Sequence, residues 1–212
     1  MSNWSKQLEE DLNWREKELA ALKKQVITAS KGSVTHQVLL RAMWSLLYAH
    51  YEGFCKFAWD LYLDELQKAG VKRKACKNEI AIFSLKNKFQ ELKEDLSSEN
   101  IWQFAKTNFQ NLLEEKIEFS SKLETNSNLY PNIFRNNILQ VGLICSLVDR
   151  YQIEIKSLVA RRNEIAHGQK MIIKDLQEYK KYEDAALEVM HELAISIVDS
   201  LDKKLYLQSP PQ

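Results

Sequence analysis

Only five glycines and three prolines punctuate the 212 residues, and two of the prolines stand together in the tail Ser209-Pro210-Pro211-Gln212. Sheets need many turns, and turns draw on glycine and proline for backbone angles that other residues resist. A chain this poor in both must run in long helices. The expected fold is therefore all-α, an up-and-down bundle of five to seven helices. Hydrophobic residues at 45% and charged residues at 28% are ordinary for a globular chain. A core of this size folds without disulfides or metal.

Periodicity places the helices. Leu8, Leu12, Leu19, Leu22 and Val26 recur at helical spacing, so a first helix is expected from Trp4 to Thr28. Gly32 and Ser33 mark a turn. A second helix should run from about Val34 to Ala69, with Gly70 closing it. Its middle, Leu46 to Trp59, is apolar on most sides, the pattern of a buried central element. Val71 to Lys77 reads as a basic linker. Weaker periodicity returns over Glu79–Leu96 and Glu99–Leu113, and Glu114–Pro131 reads as a loop, or as a short helix followed by one. Further helices are expected over Asn132–Ile144 and from Asp149 to about Ala166, ended by Gly168. A last one should start near Asp175 and reach about Leu205. The expected organisation is an N-terminal helix (1–30), a bundle (31–207) and a disordered tail (208–212).

A net charge of +1 gives no global basic field, so any nucleic-acid contact must rest on a local patch. Cys55, Cys76 and Cys145 are odd in number and scattered, which suits a reducing compartment and argues against a disulfide framework. The start of the sequence has no signal-peptide core, and no apolar run approaches the roughly 18 residues of a membrane span. A cytoplasmic protein without membrane contact is expected.

Four histidines without an HExxH pattern give no basis for a metal site, and P-loop, GxGxxG and nucleophile-elbow motifs are missing. No cofactor is expected. What remains is the run Leu158 to Gly168, which sets Arg161, Arg162, Asn163 and His167 at the end of one helix. Metal-free RNA cleavage needs a group that removes the 2′-hydroxyl proton, a cation for the pentavalent phosphate and an acid for the leaving oxygen. Histidine suits either proton transfer near neutral pH, and the arginine fork suits the phosphate. Asn163 and His167, four apart, share a helix face. Arg162 and His167, five apart, stand about 140° from each other on an ideal helix. They converge if the helix loosens near Gly168, if the arginine bends round, or if a second subunit completes the site. The plain alternative is a set of solvated cations at a helix C-terminus.

The run Arg162-Asn163-Glu164-Ile165-Ala166-His167-Gly168 resembles the HEPN-superfamily motif: arginine, a polar residue directly after it, then histidine near the end of a late helix. The segment Tyr48-Ala49-His50-Tyr51-Glu52-Gly53-Phe54 resembles one HEPN branch associated with toxin and phage-defence systems. That resemblance implies a dimerising α-bundle with metal-independent endoribonuclease activity, yielding 2′,3′-cyclic phosphate ends. It places Arg162, Asn163 and His167 in the catalytic positions. Arg161 also fits the spacing but lacks the polar residue directly after it. Glu52 has two readings, as an orienter of Arg162 or His167, or as a partner of Lys56. His50 is expected to be a core or boundary residue, and Gly53 suggests a close helix crossing. Arg150, Lys156, Arg161, Arg162, Lys170 and Lys174 cluster around the motif as a possible phosphate-binding strip. The expected partners are RNA, a second copy of the chain and a neutralising antitoxin or defence-system protein. The alternatives are a non-catalytic HEPN-like scaffold and a helical adaptor.

Overall fold

A computed structural model describes residues 3–120 and 124–210. The chain forms α1 (Asn3–Thr28), α2 (Val34–Ala69), α3 (Asn78–Ser84), α4 (Lys86–Glu94), α5 (Ser98–Gln103), α6 (Phe109–Glu114), α7 (Pro131–Gln140), α8 (Leu147–Arg150), α9 (Gln152–Ala166) and α10 (Leu176–Asp202). Isolated bridges such as Lys72 with Lys116 are the only β pairing among the described residues. The fold is all-α.

The long helix α2 is the axis. Ser33 starts it, its hydroxyl accepting from the His36 amide at 3.1 Å, and Gly70 ends it at φ +62°. That left-handed angle is the one glycine adopts without strain. Trp44, Leu47, Tyr51, Phe54, Ala58, Trp59 and Tyr62 of α2 are all buried. Burying each large side chain contributes about 1.5–3 kcal/mol before the cost of ordering it. The bundle closes around this helix. Trp44 meets Tyr179 and Tyr182 of α10, and Tyr62 shares a 2.9 Å hydrogen bond with Ser200. The N-terminal helix α1 crosses on the other side, burying Leu8, Leu12, Leu19 and Val26, and its Lys23 pairs with Glu183 of α10.

Gly53 lies at the α1–α2 crossing. A Cβ there would stand 2.9 Å from Nη1 of Arg15, so the glycine makes room for that guanidinium. Arg15, itself buried, is held by Asp11 at 2.7 Å and donates to the His50 carbonyl at 3.4 Å. His50 is a buried residue, edge-on to Trp14, with Nε2 2.9 Å from a Glu18 oxygen but not aligned for a hydrogen bond. Burial lowers its pKa, against the pull of Glu18 and with the push of Arg15. An imidazole that resists protonation in the folded state leaves stability intact above the unfolded pKa of about 6.5 and erodes it as pH falls from there. The melting temperature is therefore expected to drop between pH 7.5 and 5.5, and to drop less in His50→Gln; an equal drop in both would show that His50 is not responsible.

The middle of the chain is more broken than its periodicity suggests. Leu85, at φ −101° and ψ 7°, separates α3 from α4, so Glu79–Leu96 holds two helices. Glu99–Leu113 is one helical path containing a π turn over Phe104–Asn108, where the Phe109 amide reaches back to Phe104. This turn sets Phe104 between Phe89 and Phe109, with ring centroids 6.2 and 5.8 Å apart. The segment after α2 is pinned rather than free: buried Arg73 binds Ser84, the Leu112 carbonyl and Glu115. Lys86–Glu114 otherwise buries no side chain. Asn132–Ile144 shortens to Pro131–Gln140, with proline at the first helical turn, and the Asp149–Ala166 helix divides at Tyr151 into α8 and α9.

Candidate active site

The site forms where α9 lies on α2. The two helices are locked by Trp44, whose indole donates to the Leu158 carbonyl at 3.2 Å. Arg161 of α9 pairs with Glu178, and Tyr151, just before α9, pairs with Glu188 of α10, so α9 and α10 are antiparallel. The pairs Trp44–Tyr179 and Tyr62–Ser200 show that α2 and α10 are parallel. The C-terminal end of α9 therefore points toward the beginning of α2.

Two adjacent arginines take different paths from this frame. Arg161 turns to α10, donating to Glu178 at 2.6 Å and lying over the rings of Trp44 and Tyr182 at 4.9 and 5.5 Å. The carboxyl of Glu178 is held below its usual range: burial opposes this, and the Lys174 amide and Arg161 outweigh it. Arg161 is thus fully engaged in holding helices together. Arg162 turns to α2, its guanidinium 3.9 Å from the centroid of the Tyr48 ring and 3.7 Å from Glu52. Its Nε is buried without a partner among the described residues.

Tyr48 and Glu52, one turn apart, form a ledge beneath that guanidinium. The Tyr48 hydroxyl accepts from the Leu129 amide at 2.9 Å, tying the loop before α7 to the same place. Burial pushes the Tyr48 pKa up to about 12, with the Leu129 hydrogen bond working against it, so the hydroxyl stays protonated across the working range. Glu52 meets both readings of its position, since it accepts from Lys56 at 2.7 Å and also faces Arg162.

His167 caps α9. Its amide keeps a helical bond to the Asn163 carbonyl at 2.9 Å, and the chain turns away only at Gly168, at φ +75°. The helix therefore does not loosen before His167, and Asn163 and His167 remain on one face. The imidazole is exposed and makes no hydrogen bond or ion pair among the described residues. Asn163 is half-buried with its amide likewise uncommitted. The structure thus brings Arg162 and Glu52 together, directs Arg161 to α10, and leaves Asn163 and His167 on one face of α9 without joining His167 to Arg162. The contact of Tyr48 with Arg162, and the Leu129 amide behind it, were not foreseen; the i, i+4 spacing of Tyr48 and Glu52 was the available signal.

Among the described residues no group of three His, Cys, Asp or Glu side chains is placed to hold a metal ion, and no helix is long and apolar enough to cross a membrane. All three cysteines are free and buried.

The all-α bundle fits the HEPN superfamily. The chain belongs to its HEPN_MAE_28990-like HEPN family, whose profile matches residues 4–206. No curated protein and no solved structure matches the chain.

Proposed function

We propose that the chain is a HEPN-type endoribonuclease that cuts RNA without metal, acting as a homodimer in a toxin or anti-phage role. The observation that carries this is the contrast between the two arginines. Arg161 is consumed by structural contacts, whereas Arg162 is held on an aromatic and acidic ledge, and Asn163 and His167, further along α9, are uncommitted. A guanidinium fixed in this way can bind a phosphate without first being ordered.

In this scheme one imidazole removes the 2′-hydroxyl proton and the 2′-oxygen bonds to phosphorus. The bond from phosphorus to the 5′-oxygen breaks, and an acid protonates that oxygen. The products are a 2′,3′-cyclic phosphate and a 5′-hydroxyl. Arg162 stabilises the charge on the phosphoryl oxygens, and Asn163 positions either the imidazole or the phosphate. Each chain has one His167, but the reaction needs both a base and an acid. Two copies facing one cleft supply one histidine for each role, which also answers the angular separation of Arg162 and His167 on α9. A nuclease acting in its own cell needs restraint, so a neutralising partner protein belongs to the same proposal.

The test is incubation of the purified protein with RNA in excess EDTA, followed by analysis of the product ends. Cyclic phosphate and 5′-hydroxyl ends support the assignment. No cleavage by protein free of any co-purified inhibitor would favour a non-catalytic HEPN scaffold.

A further inference from the structure

We infer that Arg41 is a further RNA-binding residue, one that holds a phosphate other than the one being cut. This rests on the ribonuclease proposal for its ligand, but the observations behind it are separate. Arg41, Tyr48 and Glu52 are spaced by seven and four residues, so all three lie within about 40° of one another on α2. Tyr48 and Glu52 are the residues that touch Arg162, so Arg41 stands on the edge of α2 that faces α9. It lies two turns, roughly 10 Å, nearer the start of α2 than Tyr48. Because α9 runs antiparallel to α2, its His167 end lies toward that same stretch.

Arg41 is half-buried and has no hydrogen bond, ion pair or ring contact among the described residues. A cation partly removed from water without a counter-charge is costly, and an anion arriving from outside would relieve that cost. The nearby carboxylates are already committed. Glu178 serves Arg161 and the Lys174 amide, Asp175 caps α10, and Glu52 serves Lys56 and Arg162. Glu164 is two residues past Arg162, about 200° away on α9, and so on its far side. The chain after α9 returns to the same edge of α2, where the Gln37 amide donates to the Ile173 carbonyl at 3.5 Å, one turn before Arg41. That returning segment carries Lys170 and Lys174, both exposed and without an ion pair among the described residues. Arg162, Arg41 and these lysines thus form a local cationic path on a chain whose net charge is only +1. A single RNA strand is the polyanion that fits a path of spaced cations beside a cleavage site.

The experiment measures binding of a labelled single-stranded RNA by anisotropy across a range of salt concentrations, in a His167→Ala background so that cleavage does not intrude. Arg41→Gln is expected to weaken binding about 5–10-fold and to reduce the slope of log K against log salt by about 0.7, while Arg41→Lys keeps the slope. In the otherwise wild-type enzyme Arg41→Gln should raise KM and leave kcat unchanged. Unchanged affinity and slope overturn the inference even if the wild type cuts RNA. A kcat loss with unchanged KM overturns it too, by placing Arg41 in the chemistry. Arg41-dependent binding by a protein that cuts nothing upholds it and sinks the ribonuclease proposal instead. If the wild type neither binds nor cuts, both fall.

Discussion

Alanine at His167 is expected to slow RNA cleavage by roughly 10²–10⁴-fold, the usual contribution of one proton-transfer group, with little change in melting temperature. The imidazole is exposed and uncommitted, so removing it leaves the packing untouched. Arg162→Ala should cause a comparable loss of activity. Arg162→Lys should not restore it, since an ammonium cannot lie flat on Tyr48 while presenting a fork to phosphate. Arg161→Ala should show the opposite profile. It gives up a 2.6 Å ion pair and two ring contacts, costs about 1–3 kcal/mol of stability and leaves cleavage in place. Cleavage rates and thermal melts on the same three alanine variants decide the matter. Loss of activity in Arg161→Ala with none in Arg162→Ala would mean that the arginines have been assigned the wrong way round.

The second large effect is expected at Tyr48. Its ring is the surface on which Arg162 rests, and a misplacement of about 1 Å in a catalytic group can cost 10²-fold. Tyr48→Leu should therefore lower kcat by about that factor. Tyr48→Phe keeps the ring and should stay within a few-fold of wild type, although the Leu129 amide loses its acceptor and stability falls by about 1–3 kcal/mol. A hydroxyl whose pKa is pushed up to about 12 does not exchange protons near neutrality, so the pH–rate profile of Tyr48→Phe should overlay that of wild type. A changed profile would make Tyr48 a proton donor rather than a positioning residue, and wild-type kcat in Tyr48→Leu would remove it from the site altogether.

Much of this was legible from local signals. The bounds of α2, from Val34 to Ala69, follow from Ser33, Gly70 and an unbroken apolar run, all features that act within a turn or two of the helix end. The cap at Asp175 and the stop at Gly168 are of the same kind. The different paths of Arg161 and Arg162 had no such local signal, since their surroundings come from α10 and α2. What could not be read depends on how distant helices slide against one another. Trp44 and Leu158 meet across 114 positions, and that register decides which arginine faces Tyr48. The break at Leu85 and the π turn at Phe104 have no strong breaker residue to announce them. They answer to the packing of Phe83 on Trp59 and of Phe104 between its two neighbours, and such contacts exist only once the chain is folded.

The partnership of α2 with α10 has a consequence for how the protein is made. During synthesis α2 leaves the ribosome long before the helix that covers Trp44 and Tyr62. Until α10 follows, the aromatic face of α2 has no permanent cover, and α9 lacks the Glu178 anchor that draws Arg161 aside and leaves Arg162 alone over Tyr48. Closing contacts between such distant segments is the slow, entropically costly step of folding. The polar ledge is therefore expected to settle only once α10 has packed on α2 and α9. Under the proposed ribonuclease function, this topology would delay arming until α10 has packed.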